Sequence, residues 1–347
     1  MVLGPPALED AAQGRSLRTI VIIRFSSIGD IVLTHPVYLA LKAGDPDVRL
    51  VAVVRRGYES LIAANPYADL TMVLDPDKES LRAFTRRLRA LAPDMVIDLH
   101  DNLRSRMIRN RLGARQILVV RKFTFKRLLL VLFKINLLKS AKRVVERYLE
   151  TVSSVTAGKK GRIESFFEVP GRIVRRLKRT SLKNAGTGFV AVCKEAGWMT
   201  KRWPHYDELI RILLEDKKQT VVLLGQHRDE SLRSLEKKNP GRFYNLTGRL
   251  DIIASAAVIS LSRVFITNDT GLMHIADAMK KKTLSIWGPT VFEFGFEPVN
   301  ASTKVVSNEK IRCRPCSLHG SDRCPLRHFR CMSTITPVKI AGLAAQN

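Results

Sequence analysis

Ten short runs of mostly aliphatic residues alternate with longer stretches of helical periodicity, and this alternation constrains the fold more than any other feature of the chain. In the first half the runs fall at 19–25 (TIVIIRF), 48–54, 71–74, 94–99 and 116–120. In the second half they fall at 189–193, 220–225, 243–246, 264–267 and 283–287. Most are apolar at nearly every position, not at every second one. A strand of that kind must be covered on both faces, and helices between such strands make them parallel βαβ units. The fold class that follows is α/β, with two doubly wound, Rossmann-like domains facing each other across a cleft.

A length of 347 residues suits two such domains. A Pro- and Gly-containing basic stretch at 170–187 precedes the first strand of the second series. The reading is an N-terminal extension at 1–18, a first domain at 19–178 and a second at 179–347. No run of 18 apolar residues and no secretory leader pattern is present, and five cysteines do not make a complete disulfide framework, so a cytoplasmic protein is expected. Lys and Arg number 59 against 32 Asp and Glu, a formal net charge of +27, which points to a polyanionic partner. Nucleic acid is one candidate for that partner. Against it, aromatics are only 7% and no stacking platform, zinc-finger or helix-turn-helix pattern appears.

In open α/β domains ligands bind beyond the carboxyl ends of the strands, so the strand-end turns carry the functional candidates. The first strand runs into Ser26-Ser27-Ile28-Gly29-Asp30, followed by a helical pattern at 31–43. Gly29 permits close backbone approach, Ser26 and Ser27 offer hydroxyls, and Asp30 either caps the helix or serves as a general base. Strand 264–267 ends at Asn268-Asp269-Thr270-Gly271, with His274 one turn into the next helix. A helix N-terminus reached through Thr and Gly favours an anion, although a simple capped turn has the same sequence and His274 is equally a core residue. Gly288-Pro289-Thr290 forms another turn on the same edge. Lys201 and Arg202, after strand 189–193, are placed to neutralise a diphosphate or to sit in a solvated loop. Glu230, after strand 220–225, is placed for ribose hydroxyls or for an ordinary first helical turn.

Four segments in this order resemble the bacterial lipopolysaccharide heptosyltransferases of glycosyltransferase family 9. They are Arg24-Phe25-Ser26-Ser27-Ile28-Gly29-Asp30-Ile31-Val32-Leu33-Thr34, then Asp98-Leu99-His100-Asp101-Asn102-Leu103-Arg104-Ser105, then Thr200-Lys201-Arg202-Trp203-Pro204. The fourth is Asn268-Asp269-Thr270-Gly271-Leu272-Met273-His274-Ile275-Ala276 with Gly288-Pro289-Thr290. The resemblance implies a GT-B architecture and a metal-independent, inverting transfer that requires no cofactor. It implies ADP-L-glycero-β-D-manno-heptose as donor, with phosphorylated Kdo–lipid A or the heptosyl core of lipopolysaccharide as acceptor. Asp30 matches the base, Lys201 the phosphate-binding lysine, and Asp269, Thr270 and Gly271 the donor turn, with His274 on the same helix. Two places depart from the family pattern: Cys193-Lys194-Glu195-Ala196-Gly197 replaces a Pro-Gly-Ala-like stretch, and His100-Asp101 replaces Gln-Gly. The first departure leaves another nucleotide sugar open as donor.

Two further features stand outside these motifs. Residues 121–150 combine Lys and Arg with Leu, Phe and Val at helical spacing. They read either as a basic amphipathic helix pair for the anionic inner-membrane face or as helices packed on their own domain. The family implication is an enzyme held peripherally at that membrane, with no nucleic acid as partner. Cys313, Cys316, Cys324 and Cys331 have a spacing that fits a structural zinc in part, or reduced, packed thiols.

Overall fold

The computed structural model describes residues 18–138, 142–156 and 165–346. All but the last residue of the expected 1–18 extension lies outside them, as do 139–141 of the basic segment. The strands are β1 (Thr19–Ile23), β2 (Arg49–Arg55), β3 (Leu70–Leu74), β4 (Met95–Asp98), β5 (Gln116–Val119), β6 (Val190–Cys193), β7 (Val221–Leu224), β8 (Phe243–Asn245), β9 (Val264–Asn268), β10 (Thr283–Trp287) and β11 (Thr303–Ser307). They form one sheet of order β3-β2-β1-β4-β5 and another of order β11-β10-β9-β6-β7-β8, all pairs parallel. Every residue of β1, β9 and β10 is buried, as their unbroken apolar character requires when helices cover both faces. Ile22 of β1, for example, pairs with Ala52 on one side and Ile97 on the other.

In each sheet the strand order reverses beside the first strand of the domain. The switch points therefore lie between β1 and β4 and between β6 and β9, and the crevices beyond their carboxyl ends are where such sheets bind ligands.

Two elements differ from expectation. The helical pattern 31–43 is two helices, Ile28–Val32 and His35–Gly44, and the first begins three residues earlier. Pro36 supplies no N–H and its ring crowds the carbonyl four residues back, so one continuous helix cannot form there. Strand β11 was not anticipated. It is an edge strand whose polar Thr303 and Lys304 hide the apolar signature. The helix Gly171–Arg179 packs on the helix Ile252–Leu261, and its Leu177 joins the core of the second sheet, although the division at 178/179 assigns it to the first domain.

The two halves share an apolar core. Ile31, Leu61 and Ile62 of the first domain belong to the same buried cluster as Ile253, Ala256 and Ile275 of the second. The closest approach is between the helices Ile28–Val32 and Gly271–Ala278. A Cβ on Gly271 would lie 2.5 Å from Ile28 Cβ, and one on Gly29 would lie 2.4 Å from His274 Cδ2. Neither neighbour is the free end of a flexible chain, so a side chain at either position forces the helices apart. Gly271→Ala is expected to destabilise the protein by about 1–3 kcal/mol through overpacking. Gly342→Ala, in an exposed helix position with open space around it, should stabilise it by roughly 0.5–1 kcal/mol. Urea denaturation of the two variants checks the opposite signs.

Candidate active site

The two switch points open into one cavity of about 760 Å³ between the domains. Of the residues singled out in the sequence, Ser26, Ser27, Gly29, Asp30, Lys201, Asp269, Thr270, Gly271, His274 and Thr290 line it.

On the first-domain side Asp30 is the third residue of a short helix that begins after Ser27. Its Oδ2 accepts the Ser27 hydroxyl at 2.8 Å and the Ser27 N–H at 3.4 Å, and pairs with Arg24 Nη2 at 2.7 Å. Its Oδ1 receives only a longer bond, from the Tyr148 hydroxyl at 3.3 Å. Burial pushes the carboxyl up, but Arg24 and the two Ser27 hydrogen bonds outweigh it and hold Asp30 below the usual range. Asp30 is thus ionised at neutral pH, with one oxygen clamped and the other available. The capping and base readings are compatible, since the oxygen engaged at the helix start is the clamped one.

Across the cavity Asp269 accepts Lys201 Nζ at 2.6 Å and the Thr290 hydroxyl at 2.7 Å, both on Oδ2. Burial again opposes ionisation, and Lys201 with Thr290 overcomes it, so this carboxyl also lies below its ordinary value. Asp269 therefore orients the lysine. An ammonium carries three donors, and this pairing uses one of them. Thr270 is the N-cap residue of the Gly271–Ala278 helix but makes no side-chain capping bond; it and Gly271 line the cavity, where the first-turn N–H groups lack intrahelical partners. His274 is buried with Nδ1 unpartnered. Burial holds it below its ordinary value against the pull of Asp269, Asp277 and Asp30, so the ring is neutral.

Buried Asn268 organises the three loops around Lys201. Its Oδ1 accepts the Trp203 N–H at 3.1 Å, and its Nδ2 donates to the Lys194 and Glu195 carbonyls at 3.1 and 3.4 Å.

Three expected contributors stand elsewhere. Arg202 donates from Nε to the Ala196 carbonyl at 3.0 Å, outside the cavity lining, because its loop needs that carbonyl satisfied. Glu230 is exposed and paired with neighbouring Arg228. At the end of β7 it is Glu195, from the departing stretch 193–197, that accepts the Gln226 and His227 N–H groups, at 2.5 and 3.0 Å. Gly288 packs beneath Met332 and does not reach the cavity. The five cysteines are free, and among the described residues no three or more His, Cys, Asp or Glu side chains are gathered for a metal. Cys313 Sγ lies 3.8 Å from His328 Nε2, and Cys331 is packed into the second core.

Sequence reasoning missed Arg24, His100, Lys122, Arg127, Arg147 and Tyr148, all of which line the cavity. Arg24 and His100 stood inside recognised motifs. His100 is pushed down to about 4, by burial first and then by Arg24 and Lys122. The other four come from the basic segment, whose two helices divide its two readings. Val144–Val152 packs inward through Val144, Val145, Tyr148 and Val152. Thr124–Phe133 buries only Leu130 and leaves Phe125 (71%) and Leu132 (60%) exposed.

Lys201→Met is expected to cost about 3 kcal/mol at neutral pH by stranding buried Asp269, with most of it recovered when Asp269→Asn is added. A carboxyl held below its ordinary value near 3.8 stabilises the fold fully above that value and loses the contribution as pH falls through the folded value. The deficit of Lys201→Met should therefore close on acidification below about pH 4, which denaturation measured across pH checks.

The family model for glycosyltransferase family 9 (heptosyltransferase) matches residues 81–324. A lipooligosaccharide heptosyltransferase 2 of Campylobacter jejuni is 36% identical over 96 residues, 28% of this chain and 29% of that protein. The chain thus spans under a third of the length of the first curated relatives it matches. A lipopolysaccharide heptosyltransferase 1 of Pseudomonas aeruginosa is 22% identical over 329 residues, 86% of this chain and 85% of that protein. The solved structure of the Escherichia coli ADP-heptose LPS heptosyltransferase II superimposes with a TM-score of 0.73 at 21% identity, covering 93% of this chain and 96% of that one. That likeness bears on the fold, the two-domain GT-B arrangement. With its model matched over more than half of the residues, the chain belongs to glycosyltransferase family 9 (heptosyltransferase).

Proposed function

We propose that the protein transfers heptose from ADP-L-glycero-β-D-manno-heptose to the inner core of lipopolysaccharide, with inversion at the anomeric carbon. One observation carries this reading: an ionised, half-clamped carboxylate, Asp30, shares a cavity with an oriented lysine and a helix N-terminus on the other domain. The names of the relatives supply the sugar and the acceptor class.

In this mechanism the acceptor hydroxyl attacks from the Asp30 side while the diphosphate departs toward Lys201, Thr270 and the Gly271 N–H. A carboxyl held low by Arg24 is a weak base, so it takes the proton late, once bond formation to the cationic anomeric carbon has acidified the hydroxyl. Lys201 and the helix N-terminus meet the charge that develops on the leaving group, and they supply this without a metal ion. Asp30→Asn should keep ADP binding and lose transfer by on the order of 100-fold or more, measured as ADP release. Transfer at the wild-type rate would remove Asp30 from the mechanism. Thermal-shift comparison of ADP, UDP and GDP tests the donor base, with stabilisation by ADP expected. A UDP preference would instead favour another nucleotide sugar.

The reading also places the enzyme in the cytoplasm, peripherally on the anionic inner-membrane face. Among the described residues no helix is long and apolar enough to cross a membrane. The support is the helix Thr124–Phe133, with Phe125, Leu132 and Phe133 exposed beside Lys126 and Lys134. Co-sedimentation with phosphatidylglycerol vesicles should be strong for the wild type. It should fall several-fold for Phe125→Ser/Leu132→Ser/Phe133→Ser and in high salt.

A further inference from the structure

A loop that the proposed reaction leaves unused, 313–321, is fastened at both ends beside the cavity. At its start Lys134 Nζ of the first domain donates to the Cys313 and Pro315 carbonyls at 3.0 and 2.5 Å. Arg314 Nη2 donates at 2.8 Å to the carbonyl of Thr290, a cavity residue. At its end Ser321 is laced to Thr200, the neighbour of Lys201. The Thr200 N–H and hydroxyl both donate to the Ser321 carbonyl, at 3.0 and 2.9 Å, and the Ser321 N–H donates back to the Thr200 hydroxyl at 2.8 Å. Between these anchors Gly320 adopts φ +114°, with its N–H bonded to the Ser317 hydroxyl at 2.8 Å. It lies against Trp198, where a Cβ would come within 2.6 Å of Trp198 Cβ. Only glycine combines that backbone conformation with that approach. The turn so fixed sets Leu318 and His319 into the cavity lining, together with Trp198 and Lys201. The His319 ring is accessible there and makes no hydrogen bond or ion pair with the described residues.

From this geometry we infer that His319 is a specificity-determining residue that hydrogen-bonds a hydroxyl of the transferred sugar, held in place by the Gly320–Trp198 contact and the Thr200–Ser321 clasp. The inference rests on the transfer proposed above for the presence of that sugar. Partial burial, then Arg127 and Lys201, hold the ring below its ordinary value against the pull of Asp30, so it is neutral at neutral pH. A neutral imidazole offers one N–H donor and one acceptor lone pair, which matches a hydroxyl that both donates and accepts. A diphosphate oxygen only accepts and is better served by the Lys201 ammonium. The ring also feels both Lys201 and Asp30, the groups assigned to the two sides of the reacting carbon, and the sugar is what lies between them. Because Thr200 precedes Lys201 and grips Ser321, the loop that meets the phosphates and the loop that reads the sugar move as one body.

The test is calorimetric titration of ADP and of ADP-heptose without acceptor, into the wild type and three variants. His319→Ala should bind ADP as the wild type does and ADP-heptose roughly 3- to 10-fold more weakly, the range of one neutral hydrogen bond. His319→Gln, whose amide keeps a donor and an acceptor, should recover part of that loss. Gly320→Ala, which leaves the imidazole in the chain but lifts its turn off Trp198, should show the same loss for the sugar nucleotide. The inference is overturned if His319→Ala binds ADP-heptose as tightly as the wild type. It is equally overturned if ADP is weakened by the same factor, which would assign the ring to the diphosphate. If the wild type binds UDP-glucose or GDP-glucose in preference to ADP-heptose, the proposed donor fails. The same comparison, made with that sugar nucleotide and its nucleoside diphosphate, then still decides the role of His319.

Discussion

The site depends on how closely two helix starts approach each other. Ile28 and Gly29 meet Gly271 and His274 with no room for another carbon atom, and the contact is embedded in an apolar cluster that runs through both domains. Asp30 follows Gly29 directly, and Asp269 and Thr270 directly precede Gly271, so the distance between the glycines sets the distance between the proposed base and the proposed phosphate-binding turn. A hinge filled with water would leave that distance open. Packing at interior density makes it definite.

The described stretches 123–138 and 142–148 complete the enclosure from the opposite edge. Arg127 bonds the Phe294 carbonyl, the Val144 N–H bonds the Gly295 carbonyl at 2.8 Å, and Asn136 bonds Glu293 at 3.0 Å. Gly295 adopts φ +81°, and a Cβ there would meet the Val144 nitrogen at 3.1 Å, so only glycine suits this crossing. These two stretches therefore tie the domains, supply cations to the cavity wall and leave an apolar helix face toward solvent. A high basic content reads more economically as these placed charges than as a general field.

Much of this was legible where chemistry is local. A strand, a small turn and a helix start within ten residues place Asp30, Thr270 and Gly271 whatever surrounds them. Lys201 could be placed beside a strand end, but not its pairing with Asp269, which joins residues 68 positions apart. Gly288 and Thr290 show the finer limit. They share one turn, yet Thr290 reaches Asp269 while Gly288 turns to Met332, a difference of direction that the pattern of residues does not encode. The arginines at 127 and 147 were seen only as a charged surface, because their inward aim is decided by contact with Phe294 of the other domain. The break at Pro36 was readable from its missing N–H, whereas the polar edge strand β11 carried no comparable signal.

The central claim is that this closed cleft directs an acceptor hydroxyl onto an ADP-linked heptose, with Asp30 and Lys201 on opposite sides of the reacting carbon. The most direct measurement is the product formed from ADP-L-glycero-β-D-manno-heptose and Kdo–lipid A, analysed by mass spectrometry and by NMR at the new glycosidic carbon. The account predicts one added heptosyl unit per ADP released, with the anomeric configuration inverted relative to the donor. Retention of configuration, or ADP release without a heptosylated product, would contradict it.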